Sequence, residues 1–483
     1  MNSKIKLLVL GLTTLSLAGC GMGNKYYPGG NTYYHPDPNF DYSSYQSAAA
    51  ATTENPYTSP EEQKTNNISL TSSTFSYPCV REAIDHNSLS GAKNAIRTEE
   101  MLNYFSYGYV NETEKALSTT LELSQCPWNQ ETYLASVVVK AKPAETANVK
   151  NNIVILIDRS GSMSSVFSLV KQSLQTLIAK LGNDDTVSIV SYASGTKVEA
   201  DGLNGTKKSQ LLDIVNGLTA SGSTWGEGGI EKAYELAYKH FIEGGNNRVV
   251  LLTDGDFNVG KVSGAELTNL IKQKASDGVY LTCCGYRSYN NGTLYTLSEN
   301  GNGNAYYIDG ELEATKVFEK EFGKAMFTVA KDTKCQIEFS DAVASYRLLG
   351  YETRQMSDQE FEDEKKDAGE IMSDHTTVAL YELKLKEQYT EDYIFKSTLR
   401  YKDPITNESI EVVNKKNDFN ISRVADYQFA SYVAEYCLTV TQSKYQGNSS
   451  YTHLLNRIND DYINDVYKED FVATVRKTQN LAN

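Results

Sequence analysis

Short apolar runs alternate with amphipathic stretches through the middle of the chain. Residues 153–157 form a continuous apolar run of strand length, and the apolar positions between 166 and 181 follow at helical spacing. The same two patterns predict further strands at 186–192, 248–252 and 279–283 and helices at 226–241 and 264–276. Buried strands that alternate with helices predict an α/β fold with a doubly wound, mostly parallel sheet that is covered on both faces.

The segments on either side of this central region have a different pattern. Residues 335–339, 345–351, 376–385 and 393–401 alternate in the manner of strands with one solvated face, which predicts an antiparallel, sandwich-like β-rich domain. Before the central region, 96–105 is predicted to be a helix and 133–140 a strand. We predict that this earlier segment completes the sandwich, so that the central domain is an insertion in it. The end of the chain returns to helical spacing.

These patterns divide the chain into six parts. They are a leader (1–19), a tether (20–72), an N-terminal segment (73–148), a central domain (149–330), a β-rich domain (331–423) and a helical C-terminal segment (424–483).

Composition excludes several classes of protein. The 483 residues are 40% apolar and 22% charged, as in an ordinary globular protein of several domains. The formal net charge of −15 argues against a broad basic surface for nucleic acid or anionic lipid. The five histidines leave little room for histidine-rich metal chemistry.

The first residues have the order of a secretory signal peptide. Lys4 and Lys6 precede an apolar run that is too short for an ordinary membrane-spanning helix, and small residues precede Cys20. The ending Leu-Ala-Gly-Cys resembles the lipobox of bacterial lipoproteins. This resemblance implies lipid attachment at Cys20, including an acyl chain such as palmitate, and a cell-envelope location facing the periplasm or the exterior. The alternative is a plain secreted protein.

Residues 20–72 are rich in Tyr, Gly, Pro, Asn and Ser and poor in aliphatic side chains. Such a segment buries too little apolar surface to offset the entropy of ordering, so we predict a flexible tether. The alternative is that its tyrosines contact cell-wall glycan or a protein surface.

Oxygen-bearing side chains follow three elements of the central domain. The run 153–157 leads into an Asp-x-Ser-x-Ser loop, a Gly/Ser-rich loop precedes the helix at 226, and the strand at 249–252 leads into Thr-Asp-Gly-Asp. Parallel sheets bind ligands at the carboxyl ends of their strands, so these loops are expected to converge. Two carboxylates and three hydroxyls suit a small hard cation such as Mg²⁺, with a position left open for an acidic group of a partner. The predicted metal ligands are Asp158, Ser160, Ser162, Thr224 and Asp254.

These five positions resemble, in order, the metal-ion-dependent adhesion site (MIDAS) of von Willebrand factor type A domains. The resemblance implies a Rossmann-like domain that holds Mg²⁺, or Mn²⁺ or Ca²⁺, and captures an acidic residue of a protein ligand. Further segments are similar to the bacterial lipoprotein subfamily of these proteins, so that the resemblance covers about residues 73 to 480. They are 74–76, 97–105, 126–129, 253–260, 346–352 and 365–371.

Two positions depart from the expected pattern. Trp225 stands where a small or polar residue is expected and Glu227 where a small one is expected, and both are candidates for a rim that contacts the partner. The alternative for Trp225 is packing against the following helix.

Six cysteines remain after Cys20, and export makes disulfides possible. A bridge between Cys79 and Cys126 is one candidate. Cys283 and Cys284 are adjacent in a predicted strand and face opposite sides, so buried thiols are expected there.

Three classes of function follow from the predicted site. The first is a protein-binding module, because the site offers positioning and charge without a base or nucleophile; this predicts that the chain is not an enzyme. The second is an envelope scaffold in which the metal only stabilises the fold. The third is a metal-dependent hydrolase, for which Asp256 and Glu227 are the nearby acidic candidates for a general base.

Overall fold

The computed structural model describes residues 53–144, 149–224, 226–255, 264–286, 291–321, 327–388, 390, 392–416 and 425–483. The strands in these ranges are β1 (Thr65–Ser69), β2 (Leu117–Gln125), β3 (Tyr133–Ala141), β4 (Asn151–Asp158), β5 (Thr186–Tyr192), β6 (Thr196–Asn204), β7 (Asn246–Thr253), β8 (Val279–Gly285), β9 (Ala305–Tyr307), β10 (Thr328–Phe339), β11 (Val343–Leu349), β12 (Gln355–Met356), β13 (Gly369–Met372), β14 (Thr376–Leu385), β15 (Phe395–Lys402) and β16 (Ser409–Lys416). The α-helices are α1 (Ser76–Asp85), α2 (Leu89–Ala95), α3 (Thr98–Asn103), α4 (Phe167–Lys180), α5 (Lys208–Gly217), α6 (Gly226–Lys239), α7 (Gly264–Ser276), α8 (Asn291–Asn300), α9 (Glu311–Thr315), α10 (Asp358–Glu362), α11 (Ala425–Thr441), α12 (Tyr451–Arg457) and α13 (Val466–Ala482).

The central domain is built on a six-stranded sheet with the order β6-β5-β4-β7-β8-β9. All neighbours in it are parallel except β6, which runs antiparallel to β5 at one edge. The apolar run of β4 is buried along its length because strands flank it on both sides and α6 packs against it. The predicted α/β fold is confirmed, and β5 and α7 have the bounds predicted from the sequence.

Two antiparallel sheets are built from the segments on either side of the central domain. The first has the order β11-β14-β3-β2, and the second has the order β12-β1-β10-β15-β16, with β13 also paired to β10. In the first sheet β3, which precedes the inserted domain in the sequence, pairs with β14, which follows it. Val138 lies opposite Val378 in this pair. In the second sheet β1 pairs with β10. The segments before and after the central domain therefore share both sheets, as predicted for an insertion.

The C-terminal helices pack on the N-terminal ones through an aromatic core. Phe105 lies between Phe429 of α11 and Phe471 of α13, with ring centroids 4.9 Å and 5.5 Å away. Tyr77 of α1 joins the same cluster at 5.0 Å from Phe105. The predicted helical C-terminal segment is thus held against the N-terminal segment by buried aromatic contacts.

The predicted tether is wrong from residue 53 onward, because this stretch belongs to the folded body. Asn55 donates hydrogen bonds from Nδ2 to the carbonyls of Leu348 and Gly350 at 3.2 Å and 2.7 Å. Strand β1 is the neighbour of β10, and its Asn66 and Asn67 are buried. The buried side-chain amides of these two residues form hydrogen bonds with other side chains. The strand is therefore held in the core by hydrogen bonds, without an alternating apolar face. Residues 20–52 lie outside the described part.

The helix predicted at 96–105 is confirmed as α3 with narrower bounds, since α3 begins at Thr98 and ends at Asn103, and α2 ends just before it at Ala95. The hydroxyl of Ser76 donates to the carbonyl of Ala95 at 2.7 Å and accepts from the backbone N–H of Arg97 at 2.9 Å. These bonds hold the chain extended between the two helices.

The suggested bridge between Cys79 and Cys126 does not form, since both residues are buried thiols. Burial raises the pKa of Cys126 to about 12 and that of Cys79 well above its usual value. Cys283 and Cys284 are buried thiols as predicted. None of the helices in the described ranges has both the length and the hydropathy of a membrane-spanning segment.

Candidate metal site

Asp158 is the last residue of β4, in the middle of the central sheet, and its side chain is completely buried. Its Oδ1 accepts a hydrogen bond from the backbone N–H of Ser160 at 2.8 Å. Its Oδ2 accepts from the hydroxyls of Tyr192 at 3.0 Å and Thr253 at 3.1 Å. These two residues end the neighbouring strands β5 and β7. The sheet register therefore fixes the orientation of the carboxylate from both sides.

The three groups that donate these hydrogen bonds to Asp158, one backbone N–H and two hydroxyls, are all neutral. Burial raises the pKa of Asp158, and the nearby Asp254 carboxylate adds to the increase, while hydrogen bonds from Ser160 and Tyr192 oppose it. Asp254 is also completely buried. Two buried carboxylates in one place are costly unless a cation or further charged partner compensates them. A divalent cation is the kind of group that this arrangement suits.

The two serines of the Asp-x-Ser-x-Ser loop place their hydroxyls side by side. Ser160 Oγ and Ser162 Oγ are 3.0 Å apart; Ser160 is buried and Ser162 is exposed. Neighbouring oxygens of an octahedral Mg²⁺ site, each about 2.1 Å from the ion, lie about 3.0 Å apart. The hydroxyl pair therefore fits the edge of such a site, with its exposed member on the solvent side.

Backbone hydrogen bonds join the second loop to the first. The N–H of Ser221 donates to the carbonyl of Arg159 at 2.6 Å, and the N–H of Gly161 donates to the carbonyl of Gly222 at 2.9 Å. Gly222 has a φ of +94°, and a Cβ there would lie 2.7 Å from Ser194 Oγ. Only glycine meets both conditions without strain. Thr224 follows two residues later and is half-buried.

The third loop begins at the end of β7. The hydroxyl of Thr253 accepts a hydrogen bond from the N–H of Gly255 at 3.3 Å while donating to Asp158. Gly255 has a φ of +85°, so the chain turns sharply after Asp254. The turn leaves the Asp254 carboxylate buried near Asp158.

The structure thus brings Asp158, Ser160 and Ser162 into one hydrogen-bonded unit and places Asp254 within electrostatic range of it. The loop that leads to Thr224 is hydrogen-bonded to the loop that carries the two serines. Among the described side chains there is no group of three or more His, Cys, Asp or Glu that could hold a metal. The candidate site has two carboxylates and takes its other oxygens from hydroxyls, which agrees with that finding.

Several predicted residues lie beyond what the structure describes. Cys20, Trp225 and Asp256 are outside the described ranges, and so is the side chain of Glu227. Conversely, the sequence did not single out Tyr192 or Thr253 as supports of Asp158. Their position in the sequence could have indicated this role, because each is a hydroxyl-bearing residue at the carboxyl end of a strand next to β4.

Three segments of the chain match known protein families. Residues 152–320 match the family described as von Willebrand factor type A domain, and residues 43–136 match the one described as von Willebrand factor. Residues 324–481 match the family described as Uncharacterized protein YfbK, C-terminal. Among solved structures, von Willebrand factor type A from Catenulispora acidiphila is similar at 15% identity and a TM-score of 0.42, over 77% of this chain and 92% of that one.

Two curated relatives also match. Uncharacterized protein YfbK of Escherichia coli (strain K12) is 35% identical over 349 residues, which make up 69% of this chain and 60% of that protein. Uncharacterized protein sll0103 of Synechocystis sp. (strain ATCC 27184 / PCC 6803 / Kazusa) is 22% identical over 53% of this chain and 63% of that protein. The chain therefore spans less than two thirds of the length of each.

Proposed function

The chain carries a von Willebrand factor type A domain and a YfbK-like C-terminal domain and is homologous to YfbK, and on this basis we propose that it binds a protein partner through a divalent metal ion. Asp158, Ser160, Ser162, Thr224 and Asp254 would hold the ion, with Mg²⁺ the first candidate and Mn²⁺ or Ca²⁺ the alternatives. The type A domain by itself indicates a role in protein interaction.

One observation carries the proposal. The buried Asp158 carboxylate receives its hydrogen bonds from neutral donors, beside the buried Asp254 and a pair of serine hydroxyls 3.0 Å apart. This is a compact set of hard oxygen ligands that includes two buried carboxylates, which is what a small divalent cation requires.

The division of the site between buried and exposed groups favours ligand capture. Both carboxylates are completely buried, whereas Ser162 is exposed and Thr224 half-buried. When bound, the metal ion would supply positive charge and an open coordination position. The chain's own task is to hold that position at the surface, where an acidic side chain of a partner can reach it.

We also propose binding rather than catalysis at this site. The hydroxyls of Tyr192 and Thr253 donate hydrogen bonds to Asp158. They therefore orient this proposed metal ligand and are not placed to accept a proton from a substrate. The acids considered for a general base, Asp256 and the side chain of Glu227, lie outside the described part. A hydrolytic role would need a base within hydrogen-bond reach of the attacking water.

The location belongs to the same proposal. The signal-like start and the Leu-Ala-Gly-Cys ending at Cys20 support a lipid-anchored protein of the cell envelope that faces the periplasm or the cell exterior. An envelope protein of this kind would meet its partner at or beyond the membrane surface.

The test is crosslinking in intact cell envelopes followed by mass spectrometry of the proteins retained. The arms are wild type in Mg²⁺, wild type in chelator, Asp254→Ala, and the matched control Asp213→Ala, an exposed aspartate of α5 in the same domain. A partner retained by the metal-loaded wild type and by Asp213→Ala, and lost in the other two arms, is the expected result.

Other outcomes would contradict the proposal. The same set of proteins in all four arms means that the metal site is not the recognition surface. If metal raises the melting temperature without changing the retained proteins, its role is structural. If metal-dependent hydrolysis is found and Asp254→Ala abolishes it, the site is catalytic.

A further inference from the structure

Strand β16 forms one edge of the second antiparallel sheet. It pairs with β15 along its whole length, and no other strand in the described part of the chain pairs with it. The N–H of Asp403 donates to the carbonyl of Glu408, directly before β16, at 3.0 Å. Hydrogen-bonded positions alternate in an antiparallel pair, so the even-numbered residues of β16 direct their N–H and C=O groups to β15. The residues whose backbone groups point away from the sheet are Ser409, Glu411, Val413 and Lys415.

A side-chain contact supports this direction of the backbone groups. The carbonyl of Glu411 accepts a hydrogen bond from Nζ of the exposed Lys115 at 2.7 Å. A carbonyl oxygen has two lone pairs, so this bond leaves room for a second donor. The open side of β16 therefore keeps its capacity to pair with another strand.

The other edge strands are short, irregular or covered. β12 has two residues and β9 three, and the register between β5 and β6 is interrupted. On the free side of β11, Thr58 exchanges two backbone hydrogen bonds of 2.9 Å with Tyr346. In β2 the carbonyl of Thr119 accepts a hydrogen bond from Nδ2 of Asn414 at 2.9 Å. Proteins commonly protect edge strands in such ways, because an open edge pairs readily with another strand. β16 is longer and regular in register, so it calls for an explanation.

The side chains of β16 alternate between the core and the solvent. Ile410 and Val412 pack against the core of the sandwich, whereas the odd-numbered residues are exposed. Val413 is 52% exposed in the middle of the strand. A second strand beside β16 would cover this apolar side chain through cross-strand contact.

Opposite charges stand on either side of Val413, on the same face of the sheet. Glu411 lies two residues before it and Lys415 two residues after it. Glu411 Oε2 is 2.9 Å from Nε of Arg400, which is also paired with Glu362 at 2.6 Å. Two carboxylates therefore share one arginine, and this end of the strand stays acidic while the other end is basic.

This pattern is complementary to itself when two copies of β16 pair about a twofold axis. With the axis at Val413, Glu411 of each copy lies opposite Lys415 of the other, and the two valines face each other. An axis at Val412 would instead place Glu411 opposite Val413, and an axis at Asn414 would place Lys415 opposite it. Opposite charges directly across an antiparallel pair are stabilising, so the axis at Val413 is favoured.

We propose that the chain forms a twofold homodimer in which two copies of β16 pair antiparallel about Val413. The second copy is the occupant that fits this edge, because the strand carries both the charges and their complements. The pairing joins the two sandwiches through one continuous sheet. A contact of one strand per copy is smaller than a standard interface of about 1,600 Å², so the association is expected to be weak and reversible. The proposal goes beyond the metal-dependent binding function and does not rest on it.

The experiment is disulfide trapping of the purified full-length chain, by air oxidation with a copper catalyst. Hydrogen-bonded residues that lie opposite each other have Cα atoms about 5.5 Å apart, which is within the disulfide range of about 4.4 to 6.8 Å. Val413→Cys should therefore link two copies. The native cysteines in the described part are buried thiols, and the wild-type chain gives the background. Val198→Cys is the matched control, since Val198 is a 38% exposed valine on the edge strand β6.

Two further variants test the register. Glu411→Cys and Lys415→Cys place their thiols opposite each other only when the two variants are mixed. In either variant alone, the two thiols are four residues apart along the strands, or about 14 Å, which is too far for a disulfide. Adding Lys415→Glu to the Val413→Cys chain places two glutamates opposite each other and should slow trapping about fivefold or more.

We expect about tenfold or more disulfide dimer from Val413→Cys than from Val198→Cys, because pairing raises the local thiol concentration. The mixture should also form dimer, and adding Asp254→Ala to Val413→Cys should change nothing. Circular dichroism checks that the variants are folded. Equal trapping of the Val413→Cys and Val198→Cys chains overturns the proposal. So does dimer from Glu411→Cys alone that equals that of the mixture, or trapping that Lys415→Glu leaves unchanged.

Discussion

The phenolic hydroxyl of Tyr192 donates a hydrogen bond to Oδ2 of Asp158 at 3.0 Å, from the end of one parallel strand to the end of the next. The ring is buried and packs under Gly229 of α6, where a Cβ would lie 2.9 Å from it. Asp158 is thus oriented by a tyrosine that has no predicted contact with the metal. Supports of this kind commonly change metal affinity by 10- to 100-fold, as a typical range, when they are removed.

Tyr192→Phe tests this support. The substitution keeps the packed ring and removes the donor, so we expect Mg²⁺ affinity to fall about tenfold while the fold is retained. Calorimetric titration with Mg²⁺ measures the loss. The control is Tyr234→Phe in α6, since the buried hydroxyl of Tyr234 has no hydrogen-bond partner among the residues that the structure describes. Equal affinities of the two variants would show that Tyr192 does not orient the site.

Gly222→Ala tests the junction of the first two loops. Its φ of +94° and the 2.7 Å approach to Ser194 Oγ mean that an added Cβ must displace the loop that carries Thr224. We expect a loss of about 1–3 kcal/mol in stability and clearly weaker metal binding. Gly195→Ala is the control, because a Cβ there meets no atom of the described part of the chain within 4 Å. Unchanged metal affinity in Gly222→Ala would show that the position of this loop does not affect metal binding.

Arg81→Ala tests the clamp that holds the inserted domain to both flanks. Arg81 of α1 pairs with Asp309 at 2.6 Å, Glu313 at 3.2 Å and Asp470 of α13 at 2.9 Å. Its removal leaves the buried carboxylate of Asp309 without its ion-pair partner, which should cost about 3–5 kcal/mol in the free energy of unfolding. Urea denaturation measures the change.

The matched control for this clamp is Lys477→Ala. Lys477 pairs with Asp85 at 2.6 Å and joins the same two helices, but this pair is largely exposed. Its loss should cost less than about 1 kcal/mol. Similar costs for the two variants would mean that the buried network does not hold the flanks together.

Glu370→Gln tests the carboxyl of Glu370 in β13, whose Oε2 is buried. In the unfolded chain the carboxyl loses its proton near its ordinary pKa of 4.5, whereas in the folded protein it keeps the proton up to about pH 8. This group therefore lowers stability as the pH rises between these values, by at most about 1.4 kcal/mol per pH unit. We expect Glu370→Gln to be relatively more stable than wild type at pH 8 than at pH 4.5. Thermal melts across this range would contradict the account if the two curves ran parallel.

The sequence predicted the parts of the fold that depend on long apolar patterns. The buried run of β4 and the helical spacing of α7 follow directly from side-chain periodicity. The same reasoning placed Asp158 and Asp254 at one edge, because both follow parallel strands. The insertion of the central domain was also predictable, since strand patterns flank it on both sides.

Other features depend on tertiary contacts that periodicity does not show. Strand β1 has the polar sequence Thr-Asn-Asn-Ile-Ser, and its two asparagines are buried by hydrogen bonds to distant residues. The break between α2 and α3 depends on the hydroxyl of Ser76, about 20 positions earlier in the chain. The role of Tyr192 likewise requires the register between β4 and β5.

The central claim is that five residues of the inserted domain hold one divalent ion. Calorimetric titration of Mg²⁺ and Mn²⁺ into the wild-type chain and Asp254→Ala tests it most directly, with melting in chelator as the check on the fold. The account predicts one ion per wild-type chain, little or no binding by Asp254→Ala, and similar melting of the two proteins in chelator. The same stoichiometry and affinity in both proteins would contradict it.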